Sequence, residues 1–167
     1  LQKGPDYFLR AAQLVAASEP NALFVIAGSG DMERQVIMQS AELGLADRVL
    51  FAGFLRGEAL KRMYAASDVF VLPSVSEPFG LTAREAAQAG MPVLLSRQSG
   101  VIELLRHSLA VDFWDVREMA AKIIALLRYP VLRGVIGGAA REEVKRYSWD
   151  VSAGRCLQYY SEALQSA

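Results

Sequence analysis

Short apolar runs alternate along the chain with stretches whose apolar residues recur every three or four positions. The runs ALFVIAG (22–28), RVLFAGF (48–54), DVFVLPS (68–74), MPVLLS (91–96) and LAVDF (109–113) have the length and β-branched content of buried strands. Helical spacing fills the intervals: 5–18 with Pro5 in its first turn, 31–44 closed by Gly44, 58–67, 81–90, and a short helix within 100–106. From Asp115 onward the pattern is wholly helical, over 115–129, 131–147 and 149–165. Gly134, Gly137 and Gly138 weaken the middle helix of this tail, which covers the sheet or reaches a neighbouring domain.

Repeated β then α with short connections predicts a parallel sheet between two helical layers, because each crossover is right-handed and lies over one face. The fold class is therefore α/β, a Rossmann-like three-layer α/β/α domain with a helical C-terminal tail. The alternation calls for a strand ahead of the first helix, so the sequence is expected to begin mid-domain. We treat 1–167 as one domain, and at this length it buries roughly two thirds of its unfolded surface.

Ligands of such sheets sit beyond the carboxyl ends of the strands. The loops to read are GSGD (28–31), GFLRG (53–57), SVSEPFG (74–80) and RQSG (97–100). In the third, the first amides of the following helix, at Gly80, Leu81 and Thr82, lack intrahelical acceptors and stand at the positive end of its dipole. Gly80 has no β-carbon to keep a phosphate away, and Pro78 stiffens the approach. The same residues admit a plainer reading: TARE, Thr82 to Glu85, matches a capping box in which Glu85 returns to a backbone amide. Glu77, taken alone, reads as a solvated loop carboxylate.

Gly28 and Gly30 resemble the start of a dinucleotide fingerprint, but Glu33 stands where the third glycine belongs, which argues against NAD and leaves a tight turn or a close ligand approach. Phe54 and Leu55 follow Gly53 at another strand end and either cover a base or join the core. His107 has no partner in sequence for a nucleophilic triad and reads as structural, and metal ligands in recognisable spacing are absent.

Charge narrows the partners. Eighteen basic and 18 acidic side chains cancel, so no net field draws the domain to nucleic acid or anionic lipid. Cys156 is the single cysteine, which excludes an internal disulfide and suits a reducing, cytoplasmic home. No apolar run approaches the roughly 20 residues of a membrane span.

EPFGLTARE (77–85) followed by AAQAGMPVLLS (86–96) resembles the Glu-x7-Glu motif and continuation of the retaining family 4 glycosyltransferases, the group of glycogen and sucrose synthases with the GT-B fold. KGPDYFLRAAQLV, LFVIAGSGD, YAASDVFVLPS and RQSGVIELL resemble the family's Lys-Gly helix, second strand and glycine turn, alanine-rich helix and strand, and Gly-Gly loop; the likeness is strong over about residues 1–128. It implies the C-terminal, donor-binding half of such an enzyme, whose donor is a nucleotide diphosphate sugar such as a UDP-, ADP- or GDP-hexose, with no further cofactor and no metal. By the same resemblance Lys3 contacts the diphosphate and Glu77 the sugar hydroxyls, these two being the candidate catalytic residues. Phe79, Gly80, Leu81 and Thr82 line sugar and diphosphate, Glu85 holds the ribose, and Gly28, Gly30, Phe54 and Leu55 lie near the nucleoside. The family's arginine just upstream of Lys3 has no counterpart here, and Ser99 replaces the first glycine of the Gly-Gly loop. GT-B enzymes carry the acceptor on a second, N-terminal domain, for which 167 residues leave no room, so the chain alone is expected to bind donor weakly and turn nothing over. The rival readings are another GT-B nucleotide-sugar enzyme of the epimerase kind and a degenerate, non-catalytic interaction domain; a phospho-receiver lacks its acidic cluster here.

Overall fold

The computed structural model describes residues 2–147 and 149–165. Its elements run α1 (Pro5–Ser18), β1 (Phe24–Ala27), α2 (Glu33–Glu42), β2 (Val49–Gly53), α3 (Gly57–Ala66), β3 (Phe70–Leu72), α4 (Leu81–Gln88), β4 (Val93–Ser96), a 3-10 turn (Gly100–Glu103), β5 (Leu109–Val111), α5 (Val116–Arg128), α6 (Pro130–Val144) and α7 (Trp149–Gln165). Each element falls within or at the edges of a segment that the hydrophobic pattern predicts.

All strand pairs are parallel. Strand β4 shows why the layers form: Leu94 points into a core with Leu9, Val15, Phe24, Val111 and Ile123, whereas Val93 and Leu95 point into another with Tyr64, Ala83, Ala87, Leu105 and Ala140. Alternate side chains of one strand thus serve opposite faces, and a strand buried on both must be apolar throughout. Helices α1, α2 and α5 cover the first face, and α3, α4 and α6 the second. Helix α5 is typical: Met119, Ala120, Ile123 and Leu126 recur at helical spacing and are buried, each large side chain contributing about 1.5–3 kcal/mol, and Asp115 caps the start by accepting the Glu118 amide at 2.9 Å.

In place of one continuous ladder, the hydrogen bonds divide the strands into β1–β2 and β3–β4–β5. The two groups are joined through side chains, with Phe24 of β1 and Leu94 of β4 in one core. Beside β3, the Gln2 carbonyl accepts from the amides of Val75 (2.9 Å) and Ser76 (3.5 Å), so the chain entering α1 runs alongside the end of β3.

Two of the three tail helices cover the sheet. Gly137 explains how α6 does so: a β-carbon there would lie 2.1 Å from the Gly90 carbonyl oxygen, in the turn that ends α4. Gly90 sits at φ +86° with its amide on Ala87 and the next amide, of Met91, on Ala86, a Schellman stop that fixes the carbonyl against which α6 rests. Gly134 and Gly138 face open space. Gly134→Ala and Gly138→Ala are therefore expected to stabilise the fold by about 0.5–1 kcal/mol each, through helix propensity alone. Gly137→Ala should destabilise it by about 1–2 kcal/mol, overpacking outweighing that gain. Thermal denaturation of the three variants checks the difference in sign.

Helix α7 differs from the rest: its described side chains are exposed and it has no extensive contact with another element. Ala153, Cys156, Leu157, Tyr160 and Leu164 form an apolar stripe along it. No single helix among the described residues is long and apolar enough to cross a membrane.

Candidate functional site

The turn between β3 and α4 is built on Glu77. Its carboxylate is buried, at 9% side-chain exposure, and accepts the Gly80 amide at 2.9 Å, the Phe79 amide, and a hydrogen-bonded ion pair from Lys3. Burial pushes the pKa of Glu77 upward; the Lys3 ammonium and the two amides outweigh that and hold the carboxyl below its ordinary range. Glu77 is thus an ionised residue inside the turn, and the solvated loop carboxylate of the plainer reading is corrected: three donors converge on it.

The capping box is corrected as well. Gly80, at φ +61°, is the N-cap of α4, Thr82 lies inside the helix, and no side chain caps this end. Glu85 reaches sideways to α3, where the Tyr64 hydroxyl lies 3.1 Å from its Oε2 and 3.3 Å from the Thr82 carbonyl. Because Gly80 occupies the cap with a left-handed φ, the amides of Leu81, Thr82 and Ala83 project from the helix start with no acceptor among the described residues. Leu81 and Thr82 are exposed, so their two amides open to solvent at the positive end of the helix, whereas Ala83 is buried beneath it.

The wall opposite is the turn after β4. Glu77 and Ser99 form an isolated parallel bridge, the Gly100 amide donates to the Glu77 carbonyl at 2.8 Å, and a β-carbon on Gly100 would lie 2.6 Å from the Pro78 carbonyl oxygen. Ser99 is 1% exposed and its hydroxyl has no hydrogen-bond partner among the described residues. The serine standing where the resemblance expects glycine is therefore buried against this turn. On the third side, Gly4 (φ +62°) brings the Lys3 segment onto β3, its absent β-carbon leaving room for the Pro73 carbonyl 2.2 Å away.

Lys3, Glu77, Phe79, Gly80, Leu81 and Thr82 thus gather at one helix start, with Glu85 one turn further along. Gly28, Gly30, Phe54 and Leu55 gather separately, at the ends of β1 and β2, where the Gly28 amide donates to the Gly53 carbonyl at 2.7 Å. Gly28 (φ +136°) and Gly30 have nothing within 4 Å of where a β-carbon would stand. Phe54 is 65% exposed, with the Arg56 guanidinium 4.6 Å from its ring centre, so it is no core residue; Leu55 is half-buried. No hydrogen bond, ion pair or ring contact joins the two groups among the described residues. His107 takes the structural role expected of it, its amide and Nδ1 both 3.1 Å from the buried Glu143 carboxylate.

Sequence reasoning missed Tyr64. Its hydroxyl is held neutral, the pKa driven up by burial, then by the charge and hydrogen bond of Glu85, so it remains a donor that orients Glu85. The available signal was a tyrosine on the inner face of a short helix next to the motif, since a buried phenol needs a polar partner.

Comparison with known proteins finds a family for the chain. Residues 1–143 match the family described as Glycosyl transferases group 1. An uncharacterized glycosyltransferase of Methanocaldococcus jannaschii is 34% identical over 98% of this chain and 43% of its own length. The D-inositol 3-phosphate glycosyltransferase of Thermobispora bispora is 32% identical over 98% and 41%. The chain thus spans about two fifths of these relatives. Among solved structures, the sucrose-phosphate synthase of Thermosynechococcus elongatus superposes with a TM-score of 0.83 at 28% identity, over 99% of this chain and 43% of that one. The C-terminal domain of a glycosyl transferase group 1 family protein from Francisella tularensis superposes at 0.76 and 23% identity over 87% and 79%, which bears on the fold alone. The fold is the Rossmann-like C-terminal half of a GT-B glycosyltransferase, and the chain belongs to the glycosyl transferases group 1 family.

Proposed function

We propose that this domain binds the nucleotide diphosphate sugar of a retaining hexosyltransferase and stabilises the diphosphate as it leaves. The observation that carries the reading is the open start of α4, where the unpartnered, solvent-facing amides of Leu81 and Thr82 follow directly on the turn that holds a buried, ionised Glu77 paired with Lys3. Such amides already point where negative charge grows during transfer, so they act more strongly on the departing diphosphate than on the bound donor.

Lys3 is 63% exposed and Glu77 is satisfied by two amides besides. Because the lysine end of the pair is exposed and Glu77 keeps its amide donors, Lys3 can turn to a doubly charged diphosphate without leaving the carboxylate unmet. The Glu77 oxygens then meet the sugar hydroxyls, and Glu85, aimed by Tyr64, meets the ribose. Gly28, Gly30, Phe54 and Leu55 offer an uncrowded floor and an exposed ring to the nucleoside. The leaving diphosphate takes the acceptor proton, so the protein supplies no base. The acceptor is held by a second domain outside these residues, and the reaction belongs in the cytoplasm.

Calorimetric titration with UDP, ADP, GDP and their glucose conjugates tests the reading. One nucleotide series should bind, and Glu85→Ala should weaken it by about tenfold through loss of charge-assisted hydrogen bonds. Absence of binding at millimolar concentration by a folded chain would overturn it.

A further inference from the structure

Arg84 lies one residue before Glu85, within the short, alanine-rich helix α4. Its side chain leans toward the helix start, as helical side chains do, and places the guanidinium carbon 5.6 Å from the centre of the Phe79 ring. One terminal nitrogen donates to the Tyr147 carbonyl at 2.8 Å, past the end of α6. Nε is buried and has no acceptor among the described residues. An arginine held only to tie α4 to α6 would gain nothing from sealing a donor without a partner, since that is costly. Lying over an aromatic face is what compensates a guanidinium in such a place. The ring it covers belongs to the turn whose Phe79 and Gly80 amides hold Glu77, and it is 47% exposed.

We infer that Arg84 is a positioning residue for the donor: anchored on the Tyr147 carbonyl, its guanidinium fixes the Phe79 ring and thereby the turn that presents Glu77 and the α4 amides. The inference rests on the nucleotide-sugar reading of that turn. It also ties the donor turn to Tyr147, within the connection that follows α6, so a shift of that connection is felt at Phe79.

A double-mutant cycle on binding separates this from a merely structural arginine. The 167-residue chain, Arg84→Met, Phe79→Ala and the double variant are titrated with UDP-, ADP- and GDP-glucose, with thermal unfolding of each in parallel. Arg84→Met keeps the apolar stem and should weaken binding of the cognate nucleotide sugar by about fivefold in the Phe79 background. In the Phe79→Ala background the same change should cost less than about twofold. Arg84→Lys, which keeps a donor for Tyr147 but loses the planar face, supplies the cycle if Arg84→Met does not fold, with the same dependence on Phe79 expected. Equal losses in both backgrounds, or unchanged affinity with only a lowered melting temperature, overturn the inference and leave the nucleotide site standing. If the unsubstituted chain binds none of the three, the site reading falls and this inference with it.

Discussion

Glu77→Ala is expected to lower stability by about 2–4 kcal/mol and to remove donor binding altogether. The magnitude follows from what the carboxylate does inside the turn. It satisfies the Gly80 and Phe79 amides at a buried position, and a buried donor left unmet costs about 1–3 kcal/mol. The Lys3 pair matters less, because Lys3 is well exposed and regains water when released. Glu77→Gln keeps a neutral acceptor for one amide and should lose only about 1–2 kcal/mol, so the alanine and glutamine variants rank the amide bonds above the ion pair. In a domain of this size the alanine loss corresponds to roughly 5–15 °C in melting temperature. The acid response adds an independent check. Since the folded pKa of Glu77 lies below its unfolded value, its contribution is complete above the unfolded pKa of about 4.3 and is lost as pH falls through the lower folded value. The unsubstituted chain should shed that part of its stability in this acid window, and Glu77→Gln should not. Parallel acid profiles for the two would show that Glu77 is not the buried, ionised centre of the turn.

How far the site was legible in sequence depends on the kind of contact involved. The strands and helices were readable because β4 must be apolar on both faces and α5 on one, and those periods survive in any sequence that folds this way. The motif residues were readable because Gly80, Pro78 and Glu77 are chain neighbours and make a local turn. Contacts between distant elements were not. Nothing in EALKRMYAAS says that Tyr64 meets Glu85 across two helices, or that Arg84 finds the Tyr147 carbonyl. The capping-box pattern misled for a local reason: it assumes that the helix begins at Thr82, whereas the left-handed φ of Gly80 starts it two residues earlier and leaves Glu85 free to turn outward. The glycines of α6 show the same boundary. Their cost to the helix is a sequence property, but only packing distinguishes Gly137, pressed on the Gly90 carbonyl, from Gly134 and Gly138 in open space. Division of the strands into two hydrogen-bonded groups was likewise invisible, since apolar pattern fixes which face a residue takes and not which neighbour its amide chooses.

Gly80→Ala should be the most damaging single methyl group in the site. The residue sits at φ +61°, where a β-carbon costs about 1–2 kcal/mol from local sterics alone. That carbon would also stand 2.6 Å from Cγ1 and 2.7 Å from Cβ of Val101, which is fully buried among the side chains beneath α4. Valine is stiff at χ1, and its Cβ cannot swing aside, so relief requires moving the turn or the 3-10 segment, at about 1–3 kcal/mol. Together these give about 2–5 kcal/mol, directed at the turn that frees the α4 amides, so nucleotide binding should fall along with melting temperature. Gly30→Ala is the matched control: it adds the same atom at the other strand-end loop with nothing within 4 Å, and should change stability by less than about 0.5 kcal/mol. Adding Val101→Ala to Gly80→Ala removes the Cγ1 contact but neither the Cβ contact nor the strained φ, so the double variant should lose less stability than the sum of the two single losses without returning to that of Val101→Ala alone. A double variant as stable as Val101→Ala alone would mean that steric crowding alone demands glycine. No loss in the first variant would mean that the helix start tolerates a side chain, and the seat for the diphosphate would no longer need the left-handed turn on which it is built.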